Sequence, residues 1–125
     1  MGILSWLIVK GLPLVPKAIV GRIASRYVAG EKLEEVAERS KATAAADEYV
    51  RMLDAIAARG LPANVSIKLT SLGLKIDADF CRENVERIVA AAAGHGNFVR
   101  IDMEDHTTTV RTLAISREIF TRHQN

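Results

Sequence analysis

Charged side chains recur at alternate positions in two segments of the sequence that have the pattern of β-strands. The first segment, 65–74, carries Lys68, and the second, 97–105, carries Asp102 and Glu104. A period of two places such side chains on one face of a strand, opposite the apolar ones. An ammonium group on this face could bind the carboxylate of an amino acid, and a neighbouring Asp102 would keep that ammonium charged and orient it.

The two segments are separated by about one helix length, so we expect two parallel strands joined by a crossover helix. Strands of a doubly covered parallel sheet are usually apolar on both faces, and these are not. A polar face therefore favours a sheet that closes on itself around a ligand. Lys68 and Asp102 would then lie near the carboxyl ends of neighbouring strands whose axes are roughly 5 Å apart, which is where (β/α) barrels place their chemistry.

Three helices are predicted in the part of the chain that surrounds these strands. One runs from about Glu31 to Gly60, with an alanine-rich centre, SKATAAAD, that lacks a large apolar residue. The next begins with Asp77 as its N-cap, buries a face that includes Phe80, and ends before Gly94 and Gly96. The last begins around Thr107 or Thr108 and carries Val110, Leu113, Ala114 and Phe120.

Three strings together resemble the bacterial proline dehydrogenases, FAD-dependent enzymes of the monofunctional type that are built on a distorted (β/α)₈ barrel. These strings are RYVAGEKLEE, SIKLTSLGL and FVRIDMED, in this order. The resemblance covers most of the chain from Arg22 onward. It implies an α/β fold, a partial (β/α)₈ TIM barrel with N-terminal helices followed by two parallel βα units. The expected organisation is an N-terminal helical segment, 1–30, and a partial barrel domain, 31–125.

The departures from the family concern completeness. The family has a barrel strand between the first and second strings, whereas here one helical pattern runs through, so the first strand is expected to be missing. The later strands, which in the family make most flavin contacts, and the arginines that clamp the substrate carboxylate have no counterpart either. A complete barrel takes roughly 250 residues, and this chain has 125. We therefore expect an incomplete relative.

The resemblance implies oxidation of L-proline to 1-pyrroline-5-carboxylate, with hydride transfer to FAD and a quinone as the electron acceptor. Lys68 would bind the substrate, Asp102 would be catalytic, Met103 would contact the flavin and Glu104 would support either charge. Because so few flavin-contacting strands are present, we expect the 125-residue chain to bind FAD weakly or not at all and to lack turnover.

The residues alone leave other interpretations open. Lys68 could simply reach solvent, Asp102 could form an ordinary salt bridge at a strand end, and the side chain of Met103 could pack in the core. Asp102, Glu104 and His106 could form a metal site. No partner is predicted for His95 or His123.

A different class of function is a non-catalytic module that pairs with another chain, or with a second copy of itself, through exposed strand edges.

Composition excludes several other classes. The net charge of +2 lacks the large excess of basic residues that is typical of a nucleic-acid-binding protein. The single cysteine, Cys81, fits a reducing compartment and is interpreted as a buried, unreactive thiol.

The apolar N-terminus is broken by Lys10, Pro13 and Pro16 into runs that are too short to span a membrane. A helix that packs on the domain is the simpler interpretation. The alternative is an interfacial anchor with Trp6 at the headgroup boundary, and the expected location is the cytoplasm or the cytoplasmic face of a membrane.

Overall fold

The computed structural model of the protein describes residues 30–124, so the predictions for the N-terminal segment and Trp6 lie outside the described residues. Two compact units divide the chain between Ser40 and Lys41, and helix α1 crosses this boundary. Both strands belong to the second unit. The elements are α1 (Gly30–Ala58), β1 (Val65–Ile67), a 3-10 helix (Leu69–Leu72), α2 (Ala78–Gly94), β2 (Val99–Ile101) and α3 (Thr109–His123).

The two strands form a parallel two-stranded sheet, as predicted. Ser66 pairs with Arg100 and Ile67 pairs with Ile101 in its register. The sheet continues past the last pair, because the amide of Asp102 donates to the carbonyl of Ile67 over 2.9 Å. One face is apolar, buried on β1 and partly buried on β2, and the other carries the polar side chains, which agrees with the predicted alternation.

The strand prediction was too long in the first segment, since the chain leaves the extended conformation after Lys68. Lys68 is still extended, with φ −116° and ψ 121°, and it precedes the 3-10 helix as its N-cap. Both the amide and the hydroxyl of Ser71 donate to the Lys68 carbonyl, over 3.1 and 2.7 Å. A short polar side chain that bonds nearby backbone in this way competes with a sheet ladder. The turn ends at Gly73, whose φ of +100° suits glycine.

The helix boundaries follow the predicted signals closely. Helix α1 is continuous through its alanine-rich centre and is followed by Gly60 at φ +61°. Helix α2 begins after Asp77, whose carboxylate accepts hydrogen bonds from the amides of Asp79 (2.9 Å) and Phe80 (3.2 Å). Both observations confirm the predicted stop and the predicted N-cap.

The core of the second unit lies between the apolar face of the sheet and the helices. Leu53 of α1, Ile67 of β1 and Ile88 of α2 are each at most 1% exposed. Phe80 is only partly buried, less than predicted. The residues of the core cluster are Ala46, Leu53, Val65, Ile67, Leu69, Leu72, Leu74, Cys81, Val85, Ile88, Val89, Ala92, Ile115 and Ile119.

Helix α3 contacts the core through a different face from the one that its largest apolar residues would suggest. Thr112, Ile115 and Ile119 are buried, whereas Val110 is 78% exposed and Phe120 is 54% exposed. No helix within residues 30–124 is both long enough and apolar enough to span a membrane.

The Asp77 cap gives a direct test of how α2 is stabilised. Replacing Asp77 by alanine leaves two amides at the helix start without their acceptor, and we expect a loss of about 1 kcal/mol in the free energy of unfolding. Urea denaturation followed by circular dichroism measures this loss. Asp77→Ser is the matched control because serine retains a capping oxygen, and an equal loss in both variants would contradict the capping role.

Candidate active site

The candidate site is the polar face of the sheet at the carboxyl ends of β1 and β2. Continuing the observed register by one step places Lys68 beside Asp102, as predicted. Lys68 is exposed, and Asp102 is half-buried. At these strand ends the fold therefore brings a cationic and an anionic residue onto one face.

Asp102 does not form the predicted ion pair with Lys68. Its Oδ1 instead accepts a hydrogen bond of 2.6 Å from the hydroxyl of Ser66, which lies on the same face one alternation earlier. Among the described residues no carboxylate oxygen lies within 4.0 Å of the Lys68 ammonium. The expectation failed because a hydroxyl donor on a short side chain was already within reach of the carboxylate.

Glu104 is bound in a similar way by the chain that follows Lys68. Its Oε2 accepts a hydrogen bond of 3.2 Å from the Thr70 amide, and its Oε1 accepts one from the Thr70 hydroxyl. Both contacts join the segment after β2 to the start of the 3-10 helix. Glu104 therefore holds the backbone two residues beyond Lys68, and its predicted support of either charge stays a prediction.

Met103 points away from the polar face by alternation, but its side chain does not pack in the core. It is 49% exposed, so the interpretation of Met103 as a core residue is wrong.

The segment turns after β2, since the amide and hydroxyl of Thr107 both donate to the Asp105 carboxylate. These hydrogen bonds hold the pKa of Asp105 below its usual value.

The metal interpretation is also wrong for the described residues. Within 30–124, no three histidine, cysteine, aspartate or glutamate side chains are grouped so that they could hold an ion. The carboxylates of Asp102 and Glu104 are instead bound to hydroxyl groups of the first segment.

Cys81 lies beneath this region and is fully buried, as predicted. Its Sγ is 3.5 Å from the carbonyl oxygen of Leu69. Burial, assisted by the negative charge of Glu104, raises the pKa of the thiol to about 12. Because the thiolate is the reactive form, this environment supports the structural interpretation of Cys81.

Both histidines that lacked a predicted partner have one. His95 Nε2 is 2.7 Å from Asp54 Oδ1, beside a surface cavity of about 540 Å³ at the amino ends of the strands. His123 bonds Glu86, and this contact is the main cause of the lowered pKa of that carboxyl. Sequence reasoning could not find these pairs because their members are 41 and 37 residues apart.

Sequence reasoning also missed the two hydroxyl residues that bind the carboxylates, Ser66 and Thr70. The signal was present, because both alternate with Lys68 on one face. Their partners could be named only once the register was known.

The arrangement is that of an α/β protein in which parallel strands present a polar face at their carboxyl ends. Comparison with known proteins finds similarity to proline dehydrogenases. The chain is 37% identical to proline dehydrogenase 2 of Bacillus subtilis (strain 168) over 79 residues, which cover 63% of this chain and 26% of that protein. It is 33% identical to proline dehydrogenase 1 of the same organism over 85 residues, or 68% of this chain and 28% of that protein.

A third relative is the proline dehydrogenase of Deinococcus radiodurans, which is 34% identical over 117 residues, covering 73% of this chain and 38% of that protein. No protein-family model matches the chain. The matches confirm the resemblance carried by the three strings: this chain is homologous to part of the bacterial proline dehydrogenases. It spans about a quarter to two fifths of the length of these curated relatives.

The Deinococcus match also contains a gap. Its 117 aligned positions correspond to 73% of a 125-residue chain, or about 91 residues. Roughly 26 aligned positions of that relative therefore have no counterpart here, the difference between 117 and 91. The Bacillus match has no such excess, since 79 residues are 63% of the chain.

Proposed function

We propose that this chain is a proline dehydrogenase-like oxidoreductase component, which carries the side of the active site that binds the substrate carboxylate. The observation that carries this proposal is Lys68, an exposed ammonium without an ion-pair partner among the described residues, on the polar face beside Asp102. An unpaired ammonium at such a position is suited to a charge-assisted hydrogen bond with a carboxylate. The proposed reaction is oxidation of L-proline to 1-pyrroline-5-carboxylate.

In this proposal each residue of the chain has a limited part. Lys68 binds the proline carboxylate. Asp102 places a negative charge next to Lys68 and thereby orders the charged side chains on this face of the site. Glu104 fixes the turn after Lys68 through Thr70. The backbone of Met103, at the same strand end, would contact the flavin, as the family resemblance implies. When bound, FAD supplies the acceptor for the hydride.

The proposal includes a quinone as electron acceptor and a cytoplasmic location with contact to the membrane surface, because the family resemblance implies them.

The proposal also includes the loss of one barrel strand. A gap of roughly 26 positions has the size of one short βα unit, and α1 runs without interruption for 29 residues toward β1. Because the described residues supply two paired strands and a closed barrel needs more, these 125 residues are proposed to form an incomplete site by themselves.

The experiment that tests the proposal is a titration of the 125-residue polypeptide with FAD, followed by fluorescence quenching and anisotropy. It is repeated with tetrahydrofuran-2-carboxylate, which keeps the ring and carboxylate of proline. We expect weak or no binding of FAD alone and no proline-dependent dye reduction, because a closed barrel needs more strands than the described part supplies. Turnover comparable to that of a full-length relative would contradict the proposed incompleteness.

A second candidate function is a non-catalytic module that pairs through strand edges. It is favoured by the two-stranded sheet, because within the described residues each strand has only one neighbour. Size-exclusion chromatography with light scattering separates the candidates. A concentration-independent monomer would count against edge pairing, whether or not FAD binds.

A further inference from the structure

The two carboxylates after β2 are each held by a hydroxyl of the first segment, and Lys68 lies between those hydroxyls in sequence. Ser66 donates to Asp102 over 2.6 Å, and Thr70 donates to Glu104. The register places Lys68 directly beside Asp102, yet the carboxylate bonds the hydroxyl one alternation away. Both carboxylates are thus already engaged by residues of the first segment rather than by the lysine.

We infer that Ser66 is a positioning residue that keeps the Lys68 ammonium available to an external carboxylate by holding Asp102 away from it. The inference rests on the proposed function, in which Lys68 binds the substrate carboxylate. Without the hydroxyl, Asp102 would have Lys68 beside it in register on the same face, whereas Arg100, the other cation of that face, already donates to Asn64 over 2.9 Å. An internal ion pair would then compete with the ligand for the same ammonium group.

Glu104 does not compete in the same way. It accepts two hydrogen bonds from Thr70, one of them from the backbone, so removal of a single hydroxyl leaves it attached. Among the described residues, the Ser66 hydroxyl is the only hydrogen-bond donor to the Asp102 carboxylate. The availability of Lys68 is therefore controlled at Ser66 more than at Thr70.

The chemical reactivity of the Lys68 amine tests this inference without any ligand. The native chain is treated with formaldehyde and dimethylamine–borane, and methylation of each lysine is followed by peptide mass spectrometry. Lys75, whose Nζ lies 4.0 Å from Asp105 and whose side chain is 61% exposed, is the reference within the same molecule. In Ser66→Ala we expect the methylation rate of Lys68 relative to Lys75 to fall about two- to fivefold, the effect of one exposed ion pair.

Three further variants make the result specific. Ser66→Thr keeps a hydroxyl and should retain the native rate, and Ser66→Ala with Asp102→Asn should restore it, because asparagine carries no charge. Ser116→Ala, which removes a hydroxyl of α3 that bonds Thr112, should leave the Lys68 rate unchanged. A merely structural role for Ser66 would loosen the strand end and raise the reactivity of Lys68, the opposite direction.

An unchanged or increased Lys68 rate in Ser66→Ala, or a lowered rate that Asp102→Asn fails to restore, overturns the inference. Neither outcome bears on whether proline is the ligand, since no ligand is present. Conversely, FAD binding that is present but does not respond to tetrahydrofuran-2-carboxylate would count against the proposed substrate and leave the methylation result intact. The two failures are thereby distinguishable.

Discussion

Replacing Gly73 by alanine is expected to destabilise the second unit by about 2–5 kcal/mol, a large fraction of the roughly 5–15 kcal/mol that is typical of a small domain. Two costs combine at this position. Gly73 has φ +100°, where a side chain costs about 1–2 kcal/mol. Its new Cβ would also lie 2.7 and 2.8 Å from two ring carbons of Phe80, so the ring would have to shift, at about 1–3 kcal/mol for an overpacked site.

Gly60→Ala is the matched control for this prediction. Gly60 has a φ of +61°, but no atom lies within 4 Å of a Cβ built there, so only the backbone cost of about 1–2 kcal/mol applies. Both variants are compared with the parent by urea denaturation. Adding Phe80→Leu to Gly73→Ala should recover part of the loss in a double-mutant cycle. Equal losses at Gly60 and Gly73 would show that contact with Phe80 contributes nothing.

The position of Gly73 matters for the site because it ends the turn that begins at Lys68. The amide of Asp77, which caps α2, donates to the Gly73 carbonyl over 3.0 Å. The Asn84 amide donates to the neighbouring Leu72 carbonyl over 3.1 Å. These bonds fix the carboxyl end of the loop, and the bonds from Thr70 to Glu104 hold its beginning next to Lys68, which is what a preorganised site requires.

Much of this architecture follows from local signals in the sequence. Asp77 at the start of α2 and Gly60 after α1 mark element ends by mechanisms that act within a few residues. The period-two pattern around Lys68 and Asp102 assigned them to one face of a parallel pair, and the register places them side by side. These features are local or periodic, so the sequence carries them without knowledge of tertiary contacts.

The pairings on the polar face could not be predicted, because they depend on choices among several nearby partners. Asp102 had Lys68 and Ser66 within reach, and the difference between an exposed ion pair and a hydrogen bond is about 1 kcal/mol or less. The length of β1 was overestimated for a similar reason: Ser71 bonds the Lys68 carbonyl and starts a turn in a segment whose alternation still reads as a strand. Met103 alternates like a core residue but lies where the strand ends.

Lys68→Met is expected to cause the largest functional loss, and the measurement needs a complete barrel around the site. A chimaeric enzyme supplies one: in proline dehydrogenase 2 of Bacillus subtilis, the stretch that matches this chain is replaced by this chain's residues, including Lys68. Methionine keeps a similar length but cannot bind a carboxylate by charge. Loss of one hydrogen bond to a charged group, about 2 kcal/mol, should lower kcat/KM for L-proline about 30-fold, mainly through KM.

Lys75→Met in the same chimaera is the control, because it removes an exposed lysine whose nearest carboxylate partner is Asp105, outside the proposed substrate contacts. We expect it to retain the kcat/KM of the chimaera within about twofold, since exposed pairs contribute little. FAD content, measured by absorbance, must be equal in the two variants so that a change in kcat/KM reports substrate binding. A chimaera that holds FAD and oxidises proline equally well with methionine at position 68 would remove Lys68 from the site. The proposed function would then lose the observation on which it rests, because no other described residue offers an unpaired ammonium next to Asp102.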